Sequence, residues 1–231
     1  QDLRLWPSDF VWSNFSEAWT LFPFTPWYVN TLAIVTIAVA ITVFINLLCG
    51  YTFAKYEFPG RNVIFFLFIG TLMIPIQVIM VPEYLIVAKL GWASTYLGVV
   101  LPRAAEAYGI FMVRQFMMSI PDELIEAARL NGASEFQIFR RVVLPLSGPV
   151  IAVLTIFTFM WRWNDFAWPL IVLQDQSSYT IQLGLNILKG QYFTEWTYIM
   201  GMGLISIIPM LVVFAFFQRY FVQGIASTGL K

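Results

Sequence analysis

The chain contains no histidine, so neither a Ser-His-Asp nor a Cys-His catalytic arrangement can be built from it. Its single cysteine, Cys49, lies within an apolar run. One thiol forms no intrachain disulfide and no thiolate metal cluster. The lysines follow Ala54, Ala88, Leu188 and Leu230, so none completes the Gly-Lys of a phosphate-binding loop. If ATP drives this protein, another chain hydrolyses it. Charge is also scarce: 11% of residues are charged, against about 25% in soluble domains. Thirteen basic residues balance thirteen acidic ones, and no basic patch interleaved with aromatics marks a nucleic-acid surface. Catalytic and metal-ligating residues are therefore expected to be none.

What is abundant is apolar: 59% of 231 residues are hydrophobic. An apolar helix of about 20 residues crosses the hydrocarbon core of a bilayer. The uncharged stretches 18–54, 62–82, 142–161 and 196–218 reach that length, and 30–48 is the clearest. A fifth, 97–118, carries Arg103, Glu106 and Arg114, charges so costly in lipid that this helix must face protein or a watery cavity. An all-α membrane protein is expected, with five spans at about 30–54, 62–82, 97–118, 147–169 and 197–218. Segment 1–29 precedes the membrane domain 30–218, and 219–231 forms a tail.

Lysine and arginine set the direction. Placing 55–61, 119–146 and 219–231 together collects seven of them on one side, against Arg4, Lys89 and Lys189 on the other. The first side is expected to be cytoplasmic, with the C-terminus inside a bacterial or archaeal inner membrane and Gln1 outside. The stretch 1–28 has no charged start and no continuous apolar run, unlike a signal peptide; a sixth span before Gln1 is expected in the native protein. Residues 82–98 read as an interfacial amphipathic turn, and 174–196 as a polar excursion suited to a soluble partner.

One loop breaks the apolar pattern. Eight of the 26 charges (13 + 13) fall between Arg114 and Arg141. Ser119 with Asp122 has the spacing of a capping box. The stretch 122–130 is rich in Glu, Leu and Ala, good helix formers, and Asn131-Gly132 supplies a left-handed end. Ser134 with Gln137 resembles a second capping box opening a helix to Leu144, after which Pro145 turns the chain into the next span. Two short helices thus meet at a glycine corner. The first, about 15 Å long, suits a groove in another protein. Ala127 and Ala128 allow close approach, and Glu126 offers a negative charge to a basic or backbone donor. A push on the first helix would reach span 147–169 through the second.

Glu126-Ala127-Ala128, three residues, Gly132, nine residues, Val142, one residue and Leu144-Pro145 resemble the EAA loop of the permease subunits of ABC importers, with valine where isoleucine is usual. "WNDFAWPLIVL" (163–173), "GIASTGLK" (224–231) and "YTFAKYEFPGRN" (51–62) are similar to the carbohydrate branch, the maltose-transporter type with a short C-terminal tail. The resemblance spans nearly the whole chain and implies a six-helix, type I ABC importer permease. It further implies a second homologous permease, two ATP-binding subunits that hydrolyse ATP with Mg, and an extracytoplasmic sugar-binding protein. Glu123, Glu126, Ala127, Ala128, Arg129, Gly132, Leu144 and Pro145 are then the residues that couple this chain to the ATPases.

Sugar recognition needs aromatic faces and planar polar groups in a partly enclosed site. Gln77, Trp161, Trp163, Asn164 and Asp165 are candidates for the substrate path. The tryptophans equally suit an interfacial belt, and Arg162 can snorkel to water. Arg103 and Glu106, three apart, suit an ion pair on one helix face. Asn46 and Tyr51 suit a cavity or a neighbouring helix. Other functions stay open at this level: glycerol-phosphate, amino-acid or peptide import, a proton-coupled carrier using Asp165 or Glu106, or a membrane scaffold.

Overall fold

A computed structural model describes residues 10–189 and 196–228, with side chains described to Gln218. The last three residues of "GIASTGLK" and part of the 174–196 excursion lie outside them. The described residues are helical and contain no strand.

Helix α1 (Ser13–Leu21) leads into α2 (Phe24–Lys55), whose 32 residues make a rod of about 48 Å. That exceeds the roughly 30 Å hydrocarbon core, so α2 projects beyond it. Helices α3 (Arg61–Thr71) and α4 (Ile76–Lys89) are two halves of one apolar segment, bent by 104°. Pro75 sits at the break in an extended conformation; proline disfavours helical geometry in the residue before it. Helix α5 (Tyr96–Val100) and a 3₁₀ turn to Arg103 join α6 (Ala107–Met118) across a 47° bend. The charged loop forms α7 (Asp122–Leu130), α8 (Glu135–Ile138), a π-helical turn (Phe139–Val143) and α9 (Leu144–Leu146). A 77° bend then leads into α10 (Gly148–Asn164). Two shorter helices, α11 (Ala167–Val172) and α12 (Ile181–Ile187), precede α13 (Trp196–Thr228). Among the described residues two helices are long and apolar enough to cross a membrane, and five segments are if each bent pair counts as one. The fourth expected span ends at Asn164 rather than 169, because Asp165 adopts an extended conformation.

Lipid tails are as apolar as leucine, so helices in a membrane associate by close packing of small residues. Helix α6 lies against α2 in this way. A Cβ at Gly50 would stand 2.4 Å from Val113 Cγ1, and one at Gly109 would stand 2.2 Å from Asn46 Nδ2. Asn46 is thus fully buried at a helix contact, where its Oδ1 accepts from the Glu106 N–H at 3.2 Å. Buried Tyr51 packs on Tyr56 and Phe139 in the apolar cluster beneath α7.

At the opposite end, residues 176–181 are tied to the start of α2. Trp27 Nε1 donates to the Gln176 carbonyl at 3.1 Å and Asn30 Nδ2 to the Ser177 carbonyl at 2.7 Å. The Ile181 N–H donates to Thr31 Oγ1 at 2.8 Å. Residues 82–89, expected as a separate turn, continue α4 with Pro82 inside it.

Candidate functional site

Two features stand out, one at each end of α10. At its N-terminal end lies the corner. Helix α7 carries Asp122 and Glu123 in its first turn and Arg129 in its last, the arrangement the helix dipole favours. Ser119 does not cap it: its hydroxyl donates to the Phe116 carbonyl at 2.7 Å, and Pro121 occupies the cap position. Gly132 has φ +79°. Its N–H donates to the Arg129 carbonyl at 2.9 Å, and the Ala133 N–H to the Ala128 carbonyl at 3.1 Å. These two bonds form a Schellman ending, which glycine permits at no steric cost. Ser134 and Gln137 then close a complete capping box on α8.

The corner is seated inward and open outward. Ile125 is buried, with Ala128 and Leu144 half-buried, in a cluster with Leu47, Met117 and Val150. Outward, Leu124, Ala127, Leu130 and Phe136 are exposed, Leu130 at 90%. Pro145 is exposed as well. Glu126 and Arg129 line a polar cleft of about 250 Å³ shared with Arg61 and Glu57.

Residues outside the charged loop brace it. Lys55 Nζ donates to the Ile120 carbonyl at 2.5 Å and to Asp122 Oδ1 at 2.6 Å. Arg129 grips Glu135 through Nε and Nη2, at 2.8 and 3.2 Å, and the Tyr56 hydroxyl donates to the same carboxylate. The Arg129 guanidinium and then the Tyr56 hydroxyl hold the Glu135 carboxyl below its ordinary range. Sequence spacing showed none of these braces to 55–56, since 65 to 79 residues separate the partners.

At the other end of α10 is a cavity of about 630 Å³, formed where three interrupted helices meet. Thr71 to Ile76 contribute from the α3–α4 break, Arg103 to Tyr108 from the break before α6, and Met160 to Asp165 from the end of α10. Interrupted helices are tolerated at membrane depth where the freed backbone lines a cavity or is buried in protein.

Five charged residues line it: Glu83, Arg103, Glu106, Arg162 and Asp165. Arg103 and Glu106 do not pair with each other, because Arg103 ends the 3₁₀ turn whereas α6 begins after Glu106. Each instead reaches across to the C-terminal end of α10, Arg103 to the residue that follows it. Arg103 Nη1 meets Asp165 Oδ2 at 2.9 Å and Arg162 Nη2 meets Glu106 Oε1 at 2.8 Å. Arg162 does not snorkel: its side chain is 7% exposed, and it also donates to the Arg103 carbonyl.

The expected path residues separate. Trp161, Asn164 and Asp165 line the cavity, with Trp161 57% exposed beside Tyr108. Trp163 faces away, buried at 1% exposure, stacked on Phe159 and donating to the Ser206 carbonyl at 2.9 Å. Gln77 is exposed on α4, outside the lining. Glu83 escaped notice in the sequence, although a carboxylate one residue after Pro82 in an apolar helix is the kind of signal that marks function.

Known proteins share the sequence and fold of this chain. The chain is 35% identical over 205 residues to the arabinooligosaccharides transport system permease protein AraQ of Halalkalibacterium halodurans, covering 89% of this chain and 74% of the relative. It is 35% identical over 234 residues to the sn-glycerol-3-phosphate transport system permease protein UgpE of Pectobacterium atrosepticum, covering 98% and 83%. Among solved structures, it superposes with TM-score 0.84 and 25% identity on a chain of a bacterial ABC transporter involved in the import of the acidic polysaccharide alginate, covering 96% and 84%. The MetNI methionine ABC transporter shares the fold, with TM-score 0.60 at 20% identity, covering 82% and 90%. The model of the binding-protein-dependent transport system inner membrane component matches residues 46–227, from the foot of α2 through nearly all of α13, and the chain belongs to that family.

Proposed function

We propose that this chain forms half of the translocation path of an ATP-driven sugar importer, for a di- or oligosaccharide. A second, homologous permease supplies the other half. Two ATP-binding subunits dock on α7 from the cytoplasm and hydrolyse ATP with Mg, and an extracytoplasmic binding protein delivers the sugar. The chain itself is a transport component and not an enzyme. Its C-terminus and the 55–61 and 119–146 loops face the cytoplasm, as the lysine and arginine asymmetry supports.

The observation that carries this reading is the corner at Gly132. A short helix presents Leu124, Ala127 and Leu130 outward while Ile125 anchors it to the foot of α10. Glu123, Glu126, Ala127, Ala128, Arg129 and Gly132 form the seat for the ATPase, and Leu144-Pro145 set the turn into α10. Packed cores and short capped helices move as rigid bodies. Displacement of α7 therefore passes through α8, α9 and the bend at Ser147 into α10. Seventeen residues and about 25 Å further on, the same helix delivers Trp161, Asn164 and Asp165 to the cavity. The ion pairs to Arg103 and Glu106 make the break before α6 follow. The exposed Trp161 ring suits the apolar face of a sugar, and Asn164 and Asp165 its hydroxyls.

The relative named for sn-glycerol-3-phosphate favours a second substrate class, an organic phosphate. Reconstitution with the partner permease, the ATPases and the binding protein tests the main reading. One or more neutral oligosaccharides should stimulate ATP hydrolysis and accumulate in vesicles. Uptake that survives an inactivated ATPase but dies with a protonophore would overturn it.

A further inference from the structure

Resting on the cavity being the substrate path, we infer that it admits an uncharged saccharide and rejects anionic ligands such as organic phosphates and uronates. Three carboxyl groups and two guanidiniums line it, one acidic group more than basic ones. Both arginines are already committed, Arg103 to Asp165 and Arg162 to Glu106. Glu83 makes no ion pair among the described residues, and its Oε2 has no hydrogen-bond partner.

The wall also keeps donors in reserve. Arg162 lines the cavity with a side chain only 7% exposed, yet its Nε has no partner, and Arg103 Nε and Nη2 are equally unused. A buried donor left unpaired costs about 1–3 kcal/mol, so these atoms favour a ligand that supplies acceptors. A hydroxyl both donates and accepts. A sugar can therefore satisfy the spare guanidinium N–H groups and the Glu83 oxygen together. The phosphate or carboxylate group of an anionic ligand only accepts, and it would meet Glu83 inside a wall with more acidic than basic groups. Trp161 beside Tyr108 supplies the apolar face that a sugar ring needs and an isolated phosphate does not. The cavity volume, about 630 Å³, lies within the roughly 300–1,000 Å³ of small-molecule sites.

The test is equilibrium binding to the assembled transporter in nanodiscs, without the binding protein, which would otherwise sort ligands first. The probes are tritiated arabinobiose and maltose on one side and sn-glycerol-3-phosphate and dimannuronate on the other. A neutral probe should bind the native assembly at least tenfold more tightly than either anion. Glu83→Gln, which breaks no ion pair, should shift that ratio toward the anions by roughly tenfold, the effect of one unit charge about 10 Å away at an effective dielectric near 20. The pair Glu83→Gln with Glu106→Gln should shift it further. An anion binding the native assembly as tightly as the neutral probes, or a ratio unmoved by Glu83→Gln, overturns the inference. Ala105→Trp, which fills the cavity from an exposed lining position, separates the two levels of the argument. If it blocks every probe while the ratio ignores charge, only the charge selection fails. If it binds every probe normally, or if no probe binds the native assembly, the cavity is not the path and both readings fall.

Discussion

Gly132→Pro and Gly132→Ala form a graded pair that tests the lever. At φ +79° the position suits glycine, while proline is held near φ −65°. Proline also has no N–H, so the 2.9 Å bond to the Arg129 carbonyl is lost. Together these cost about 3 kcal/mol or more, enough to depopulate the corner by over a hundredfold. Alanine differs: no atom lies within 4 Å of where its Cβ would stand. Only the left-handed backbone is strained, by about 1–2 kcal/mol, or roughly a 5- to 30-fold loss of the corner geometry. Both variants should insert and assemble, because Gly132 is exposed and lies in the loop between spans. The assay is sugar-stimulated ATP hydrolysis and uptake in proteoliposomes, with basal hydrolysis and subunit recovery as controls. Stimulation should be reduced several-fold in the alanine variant and abolished in the proline variant. A proline variant with normal sugar-stimulated uptake would refute the transmission argument, whatever its effect on stability.

Other expectations rest on separate features. Trp161→Ala should raise the sugar concentration for half-maximal uptake with little change in melting temperature. Trp163→Ala should do the reverse, costing about 3–5 kcal/mol of stability, as a scan of melting temperature and uptake for the two variants would show. Removing one partner of a largely buried ion pair costs about 3–5 kcal/mol; Arg103→Ala should therefore lower the melting temperature of the assembly, and combining it with Asp165→Ala should recover part of the loss. Gly109→Leu should destabilise the α2–α6 contact by at least about 1–3 kcal/mol, since even a Cβ there would meet Asn46 at 2.2 Å; a melting temperature equal to the native one would contradict that packing. The Glu135 carboxyl sits below its ordinary value because of Arg129 and Tyr56. Its contribution is therefore present above the ordinary carboxylate range and fades as pH falls through the folded value. As a half-exposed pair it is worth about 0.2–1 kcal/mol: Glu135→Gln should lower the melting temperature slightly at pH 7, and the difference should shrink as pH falls below the ordinary carboxylate range.

Much of this molecule was legible along the chain because the governing physics is local. Span length follows from the run of apolar residues and the thickness of hydrocarbon, and the absence of histidine holds in any fold. The corner at Gly132 was equally readable, since the Schellman ending and the Ser134–Gln137 capping box close within six residues of their own partners. Other features depended on which helix lies beside which. Arg103 and Glu106, neighbours in sequence, part because the helix is broken between them, and each finds an opposite charge at the C-terminal end of α10 some sixty residues away. Trp161 and Trp163 have the same chemistry and adjacent alternate positions, yet helical rotation puts one ring in the cavity and the other in the core. Lys55 and Tyr56 brace the corner only because α2 ends beside it. A side chain's propensity belongs to its own segment, but its burial and its charge partner belong to the surface that another segment presents, and only the tertiary structure brings those surfaces together.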